Sequence, residues 1–287
     1  MNIVVLAGGL SPERNVSLSS GVMVTNAFLA RGHKAILVDL FLGTDSVPEN
    51  PMDAFLAAKP IEKRTISEIA PDLEQLKQER KSGLSDLVGN GVVELCRAAD
   101  IVYLALHGAD GENGRLQAFF DLHGIRYTGS PSLGCALAMD KWITKQLFLG
   151  ENIPTPRGML LKKGDPVPAF SFDCVVKPCC GGSSLGIAIA HTKEEYDAAV
   201  ADAFRYEDSV LVEEYIEGLE LTCGFLGKEA LPITEIIPRQ GFYDYAHKYQ
   251  PGWTEEITPA RIDADIAAAI QQITRRIQDT LDRKSVV

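Results

Sequence analysis

Four short segments of this chain combine residues that bind charge with residues that let a ligand come close. The first is Gly8-Gly9-Leu10-Ser11-Pro12-Glu13-Arg14. Paired glycines after a first strand allow a ligand close approach to the backbone. A charge placed at a helix start, where the helix dipole favours an anion, is the competing account of Glu13. The loop lacks the G-x-G-x-x-G spacing, which removes a nicotinamide-dinucleotide reading. The second segment, His107-Gly108-Ala109-Asp110-Gly111-Glu112-Asn113-Gly114, sets His107 and Glu112 on a tight loop at a strand end; helix capping by Asp110 or Glu112 is the alternative. The third, Val175-Val176-Lys177-Pro178 followed by Gly181-Gly182-Ser183-Ser184-Leu185-Gly186, joins a lysine in an apolar strand to a Gly/Ser loop. Loop N–H groups and hydroxyls can cradle phosphate oxygens while lysine neutralises them. The lysine precedes the glycines, so this is not the G-x-x-x-x-G-K-[ST] loop. A plain surface loop would leave that strand lysine unexplained. In the fourth, an apolar strand runs into Glu213-Glu214-Tyr215-Ile216-Glu217-Gly218-Leu219-Glu220. Backbone groups near Glu214 and Ile216 could read an adenine edge and Glu220 could take ribose hydroxyls; an exposed acidic hinge is the other reading.

Elements that would position these segments can be read from the apolar rhythm. Ile3–Leu6, Ala35–Leu40 and Ala99–Leu106 read as buried strands, separated by a helical stretch from Ser17 that breaks at Gly32. Such alternation predicts a parallel α/β sheet with its site at the strand C-termini. Residues 43–91 are polar and read as an elaboration, with a helix near 72–81. Beyond residue 130, Asp140–Leu149 reads as a helix closed by Gly150. Cys174–Lys177 and Ser209–Glu213 read as strands, and Lys193–Phe204 as a helix between them. Leu221–Leu226 and Leu231–Ile237 look like an antiparallel pair. Ile266, Ile270, Ile273, Ile277 and Leu281 form one apolar stripe on a final helix, which needs a partner.

The 287 residues exceed one typical core and predict two or three domains. With 46% hydrophobic and 23% charged residues, the balance is that of an ordinary soluble protein. A net charge of −11 argues against non-specific contact with nucleic acid or anionic membrane. No apolar run reaches the roughly 18 residues of a membrane span. The N-terminus, lacking basic residues before its apolar run, reads as a first strand and not a secretory signal. Cys96, Cys135, Cys174, Cys179, Cys180 and Cys223 show no paired metal spacing and would stay reduced in a cytoplasmic chain. The adjacent Cys179 and Cys180 read either as small loop residues or as a redox pair.

Taken in order, the Glu13 loop, H-G-x-x-G-E-x-G, Met139-Asp140-Lys141, V-K-P…G-S-S-x-G and Phe242-Tyr243-Asp244-Tyr245-Ala246-His247-Lys248-Tyr249 resemble the D-alanine–D-alanine ligases of the ATP-grasp superfamily. The resemblance runs from residue 1 to about 281. It implies an α/β fold: a Rossmann-like N-terminal substrate domain (1–130), then an ATP-grasp pair made of a central subdomain (131–216) and an incomplete C-terminal one (217–287). It also implies roles. Glu13 would contact the ammonium group of the first D-alanine, His107 would sit beside that substrate, and Glu112 would hold the loop. Lys141, Lys177 and Lys248 would meet the nucleotide phosphates. Ser183, in a closing loop with Ser184, would hydrogen-bond with Glu13 and Tyr249. Glu213, Glu214, Ile216 and Glu220 would line the adenosine.

The implied reaction is ATP-dependent. The first D-alanine carboxylate attacks the γ-phosphate, and a second D-alanine amine displaces phosphate from the acyl phosphate to give D-alanyl-D-alanine for peptidoglycan synthesis. Developing negative charge would be met by lysines, loop amides and two Mg²⁺ ions. The retained tyrosine in Tyr243–Tyr249 favours D-alanine over D-lactate as acceptor. A cytoplasmic homodimer is the implied setting. The family's metal ligands, on strands after the Ile266–Leu281 helix, are expected beyond the end of this chain. Asp282–Val287 has no family counterpart and reads as adapter sequence. Negligible ligase activity is therefore expected of the chain as written. The rival readings are another ATP-grasp carboxylate–amine ligase, which would not need both the Glu13 loop and Tyr249, and a non-catalytic ATP or D-amino-acid binding protein.

Overall fold

The computed structural model describes residues 1–44, 46, 48–62, 71–80, 86–169, 173–182, 185–238, 253–282 and 285–286. They divide into two compact units, Met1–Ser132 and Leu133–Val287.

In the first unit the three apolar runs become β1 (Asn2–Ala7), β2 (Lys34–Asp39) and β3 (Ile101–Leu104), in the order β2-β1-β3 and parallel throughout. The central strand is buried on both faces, as a continuous apolar run requires. One face packs on α1 (Arg14–Ala30), with Val5, Ala7, Leu18 and Ala35 buried together. Close packing there depends on Gly21, whose added Cβ would stand 2.7 Å from the Ala7 Cβ. The other face carries Val4, Leu6, Val38 and Val102, covered by α2 (Met52–Leu56), α4 (Val92–Ala98) and α6 (Arg115–Leu122) through Phe55, Leu95, Leu116 and Phe120. The polar elaboration between β2 and β3 holds α3 (Leu73–Glu79) as expected, capped by Asp72. Two short helices on either side of α3, α2 and α4, were not anticipated. The short α5 (Ala109–Glu112) follows β3.

The second unit opens with α7 (Ser132–Met139) and α8 (Lys141–Gly150). Asp140 caps α8, its Oδ1 accepting from the Trp142 and Ile143 N–H groups at 2.9 and 3.0 Å. An antiparallel sheet follows, ordered β4-β7-β5-β6, from β4 (Gly158–Lys162), β5 (Cys174–Pro178), β6 (Ala188–Ala190) and β7 (Ser209–Glu214). Helix α9 (Lys193–Ala203), started by a Thr192/Glu195 capping box, covers one face. Alternation decides which residues it covers. Cys174, Val176, Val210 and Val212 point into the α9 core with Tyr196, Ala199 and Val200, so Lys177 and Glu213 fall on the opposite face.

Beyond Gly218 lie β8 (Glu220–Thr222), β9 (Phe225–Leu226), β10 (Glu229–Ala230), β11 (Thr234–Pro238) and β12 (Thr254–Ile257). The expected antiparallel pairing is present, but it is split between two sheets: β8 and β12 pair with β11, while β9 pairs with β10. A final helix, α10 (Ala264–Leu281), leads to β13 (Ser285–Val286), which joins β9. Its stripe finds cover at the end, where Leu281 is buried, and leaves Ile266 exposed at the start. The Leu281 and Asp282 carbonyls lie 2.6 and 2.8 Å from where a Cβ on Gly134 of α7 would stand, so only glycine fits. Among the described residues no helix is long and apolar enough to cross a membrane.

Candidate active site

Three strand ends of the parallel sheet converge on the Glu13 loop. Ser17 bridges two of them: its Oγ accepts from the Gly8 N–H at 2.9 Å and donates to the Ala105 carbonyl at 2.7 Å. Ser11 makes a second bridge, accepting from the Glu13 N–H at 3.1 Å and donating to the His107 carbonyl at 2.9 Å. The third end supplies Asp39. Its carboxylate pairs with the buried Arg14 guanidinium, which also donates to the Gly9 carbonyl at 2.9 Å. Asp39 Oδ1 further accepts from the Phe41 and Leu42 N–H groups, both at 3.0 Å.

Glu13 stands at the N-cap of α1, yet its side chain makes no capping hydrogen bond. Instead its carboxylate lies against Gly108: a Cβ there would be 2.2 Å from Glu13 Oε2, and the Gly108 φ is +67°. The structure thus brings the Glu13 and His107 loops together. A pocket beside them is lined by Gly8, Gly9, Ser11, His107, Gly108 and Gly111. Glu112 is exposed at the end of α5, and Gln117 Nε2 holds that loop by donating to the Gly111 carbonyl at 2.8 Å.

In the second unit the lysines gather where α8 meets the β5 loop. The Lys141 N–H donates to the Cys179 carbonyl at 2.9 Å, and its ammonium donates to the Gly181 carbonyl at 2.8 Å. Burial first, and then the nearby Lys177 ammonium, hold Lys141 below the usual lysine range. Lys177 pairs with Glu213 across the β5–β7 ladder. The other oxygen of Glu213 takes Lys145, one turn beyond Lys141, at 2.6 Å. Burial works to raise the Glu213 carboxyl, but hydrogen bonds from Lys145 and Lys177 bring it below the ordinary carboxylate range. Space for this pairing comes from Gly158, where an added Cβ would lie 3.1 Å from Glu213 Cγ and 3.3 Å from Lys145 Cε.

Lys145 is the residue that motif reading missed. Its signal was the spacing Lys141-x-x-x-Lys145 on one helix, which sets two ammonium groups on one face.

Glu214 is held by Arg157, whose backbone N–H and Nε donate to its carboxylate at 2.9 and 2.7 Å. That backbone hydrogen bond is the leading cause that holds the Glu214 carboxyl below its usual range. After it, Tyr215, Ile216 and Leu219 expose an apolar ridge before Glu220 opens β8. The Cys179 and Cys180 thiols are pushed up to about 12, Cys179 by burial and the Asp140 and Glu207 carboxylates, Cys180 by desolvation and its hydrogen bond with Glu207. Such thiols stay protonated near neutrality, which favours the plain loop reading over a redox pair. Ser183, Ser184, Lys248, Tyr249 and the rest of the 239–252 segment lie outside the described residues. Among the described residues no group of three or more His, Cys, Asp or Glu side chains could hold a metal ion.

Comparison with known proteins agrees with this two-part arrangement. The family profile for the D-ala D-ala ligase N-terminus matches residues 2–130, and that for the D-ala D-ala ligase C-terminus matches residues 162–287. The D-alanine–D-alanine ligase of Pediococcus pentosaceus is 42% identical over 286 residues, covering 98% of this chain and 82% of that protein. Among solved structures, D-alanine–D-alanine ligase from Bacillus anthracis complexed with ATP shares the fold, with a TM-score of 0.70 at 24% identity over 99% of this chain and 78% of that one. The VanG D-Ala:D-Ser ligase from Enterococcus faecalis gives a TM-score of 0.66 at 28% identity, over 98% of this chain and 83% of its own. With both profiles in register and close relatives matched along nearly its whole length, this chain belongs to the D-alanine–D-alanine ligase family.

Proposed function

We propose that this chain serves the ATP-dependent joining of two D-alanines through an acyl phosphate, for peptidoglycan precursor synthesis in the cytoplasm, as a homodimer. The first unit offers the amino-acid end of the reaction. Glu13 receives the ammonium group of the first D-alanine, and His107 flanks it. The second unit offers the nucleotide end, and we assign residues 131–216 and 217–287 to the two halves of an ATP-grasp pair. Lys141 and Lys177 meet the phosphates. Backbone groups near Ile216 and the exposed apolar ridge take the adenine, and Glu220 takes the ribose.

One observation carries the nucleotide half of this reading. The Lys141 ammonium sits on the Gly181 carbonyl, in the loop that Lys177's strand enters, and its pKa is lowered by burial first and then by Lys177, while the Glu213 carboxylate beside Lys177 is already shared with Lys145. Like charges held together are costly without an anion, and a polyphosphate on the Gly181–Gly182 side supplies one. Phosphoryl transfer needs this kind of preorganised positive charge, since the negative charge of the transferring group must be stabilised without reorganisation.

Ser183, Ser184, Lys248 and Tyr249 complete the reading, with the tyrosine loop favouring D-alanine as acceptor. Magnesium belongs to the family chemistry, but the described residues offer no metal cluster. Ligand-induced thermal stabilisation tests the proposal. Ligand at about 100 times its Kd should stabilise the fold by about 2.7 kcal/mol. ADP, ATP and D-alanine should each raise the Tm, and L-alanine should not. No shift with millimolar nucleotide would refute the nucleotide assignment. Stabilisation by nucleotide and D-alanine, with no dipeptide formed, would leave a binding protein instead of a ligase.

A further inference from the structure

We infer that Lys145 is a positioning residue for the nucleotide phosphates: it holds one oxygen of Glu213 so that Lys177, on the other oxygen, keeps its charge for the ligand. This rests on the nucleotide reading above. Lys145 cannot meet a phosphate itself. Its side chain is only 3% exposed, and its ammonium is directed to Glu213, to Thr155 Oγ1 at 2.8 Å and to the Pro156 carbonyl. Three acceptors use the three donors of an ammonium group. Lys177 differs. It is 22% exposed, and among the described residues its ammonium pairs with Glu213 alone, so donors remain for a guest.

The charge arithmetic gives Lys145 its role. One carboxylate against two ammonium groups leaves the trio with a net positive charge at its open end. Without Lys145 the same carboxylate would belong wholly to Lys177, and the pair would meet a phosphate as a neutral unit. Glu213 is thus a shared anchor whose charge is balanced from the buried side. Two further acids lie on the Lys141 side: Glu207, whose carboxylate accepts from the Cys180 N–H at 2.6 Å, and Asp140, which caps α8.

The test is ADP affinity by isothermal titration, without D-alanine, for the wild-type chain, Lys145→Met and the double variant Lys145→Met/Glu213→Gln. Lys145→Met should weaken ADP binding at least about tenfold. The double variant has lost both the carboxylate and its balancing lysine, so Lys177 is again uncompensated. It should return to within about threefold of wild type, a recovery that depends on charge coupling between the two sites. A purely structural role for Lys145 predicts no such recovery. Wild-type affinity in Lys145→Met, or a double variant no better than the single one, would overturn the inference. If Lys145→Met does not fold, Lys145→Gln, which removes the charge but keeps a donor for Glu213, takes its place: a loss of about tenfold is expected, and wild-type affinity would overturn the inference. Failure of the wild-type chain to bind ADP would instead overturn the nucleotide reading beneath it.

Discussion

The two units solve opposite electrostatic problems. The first carries Glu13 on a loop whose backbone is tied by two serine bridges to the strand ends, beside paired glycines. The buried ion pair Arg14–Asp39 ties the Gly9 carbonyl down. The second unit sets two lysines, Lys145 and Lys177, on one buried carboxylate, with Lys141 on the adjoining loop, and leaves positive charge over. A small zwitterion needs shape and a single well-placed charge. A polyphosphate needs a field, which like charges supply once the protein scaffold keeps them from moving apart.

The contrast can be broken most forcefully in the first unit. Asp39→Ala would leave the Arg14 guanidinium buried without its counter-ion. Loss of about 3–5 kcal/mol of stability is expected, measured by urea denaturation. A loss below 1 kcal/mol would mean that the pair does not organise the loop.

Gly108→Ala is the next largest change. The new Cβ meets the Glu13 carboxylate, and the positive φ adds strain of about 1–3 kcal/mol. The thermal shift with D-alanine should shrink sharply while that with ADP persists. Equal loss of both shifts would show that the two ligand ends are not separable.

A third test is pH dependence in the second unit. Bound phosphate favours the ammonium form of Lys141, whose pKa in the free protein lies below 10.5. Binding therefore takes up a proton wherever the free side chain has lost it. ADP affinity should fall as pH rises through that depressed value, before an ordinary lysine would titrate. Lys141→Arg, which stays protonated, should move the fall to higher pH. An unchanged profile would remove Lys141 from the phosphate site.

The smallest effect is expected at Cys180. With its pKa near 12, only about one thiol in 100,000 is ionised at pH 7. Alkylation by iodoacetamide should be slow, and Cys180→Ser should change stability by less than about 0.5 kcal/mol. Rapid labelling at pH 7 would reopen the redox reading.

Much of this was legible in the sequence because the signals were local. A continuous apolar run announced β1, and Asp140 with Gly150 marked both ends of α8. What escaped depends on contacts between distant residues. Arg14 and Asp39 are 25 positions apart, and nothing nearby in sequence announces their pairing. Lys145 reads as one more exposed helix lysine until α8 is laid on the polar face of the sheet. The short helix α2 buries Phe55 through tertiary packing, where five residues carry too little periodicity to announce a helix. The hairpin past Gly218 was seen as one pair because period-two alternation does not reveal where a strand changes sheets.

The alternation along β5 has a further consequence, for the fidelity of folding. A slip of one residue against β7 would send Lys177 into the α9 core and turn Val176 toward the charged face. Burying an unpaired ammonium among Cys174, Tyr196 and Val212 would cost far more than the slipped hydrogen bonds could return. The lysine proposed to meet the nucleotide therefore also proofreads strand pairing: a wrongly registered sheet is rejected before any ligand arrives.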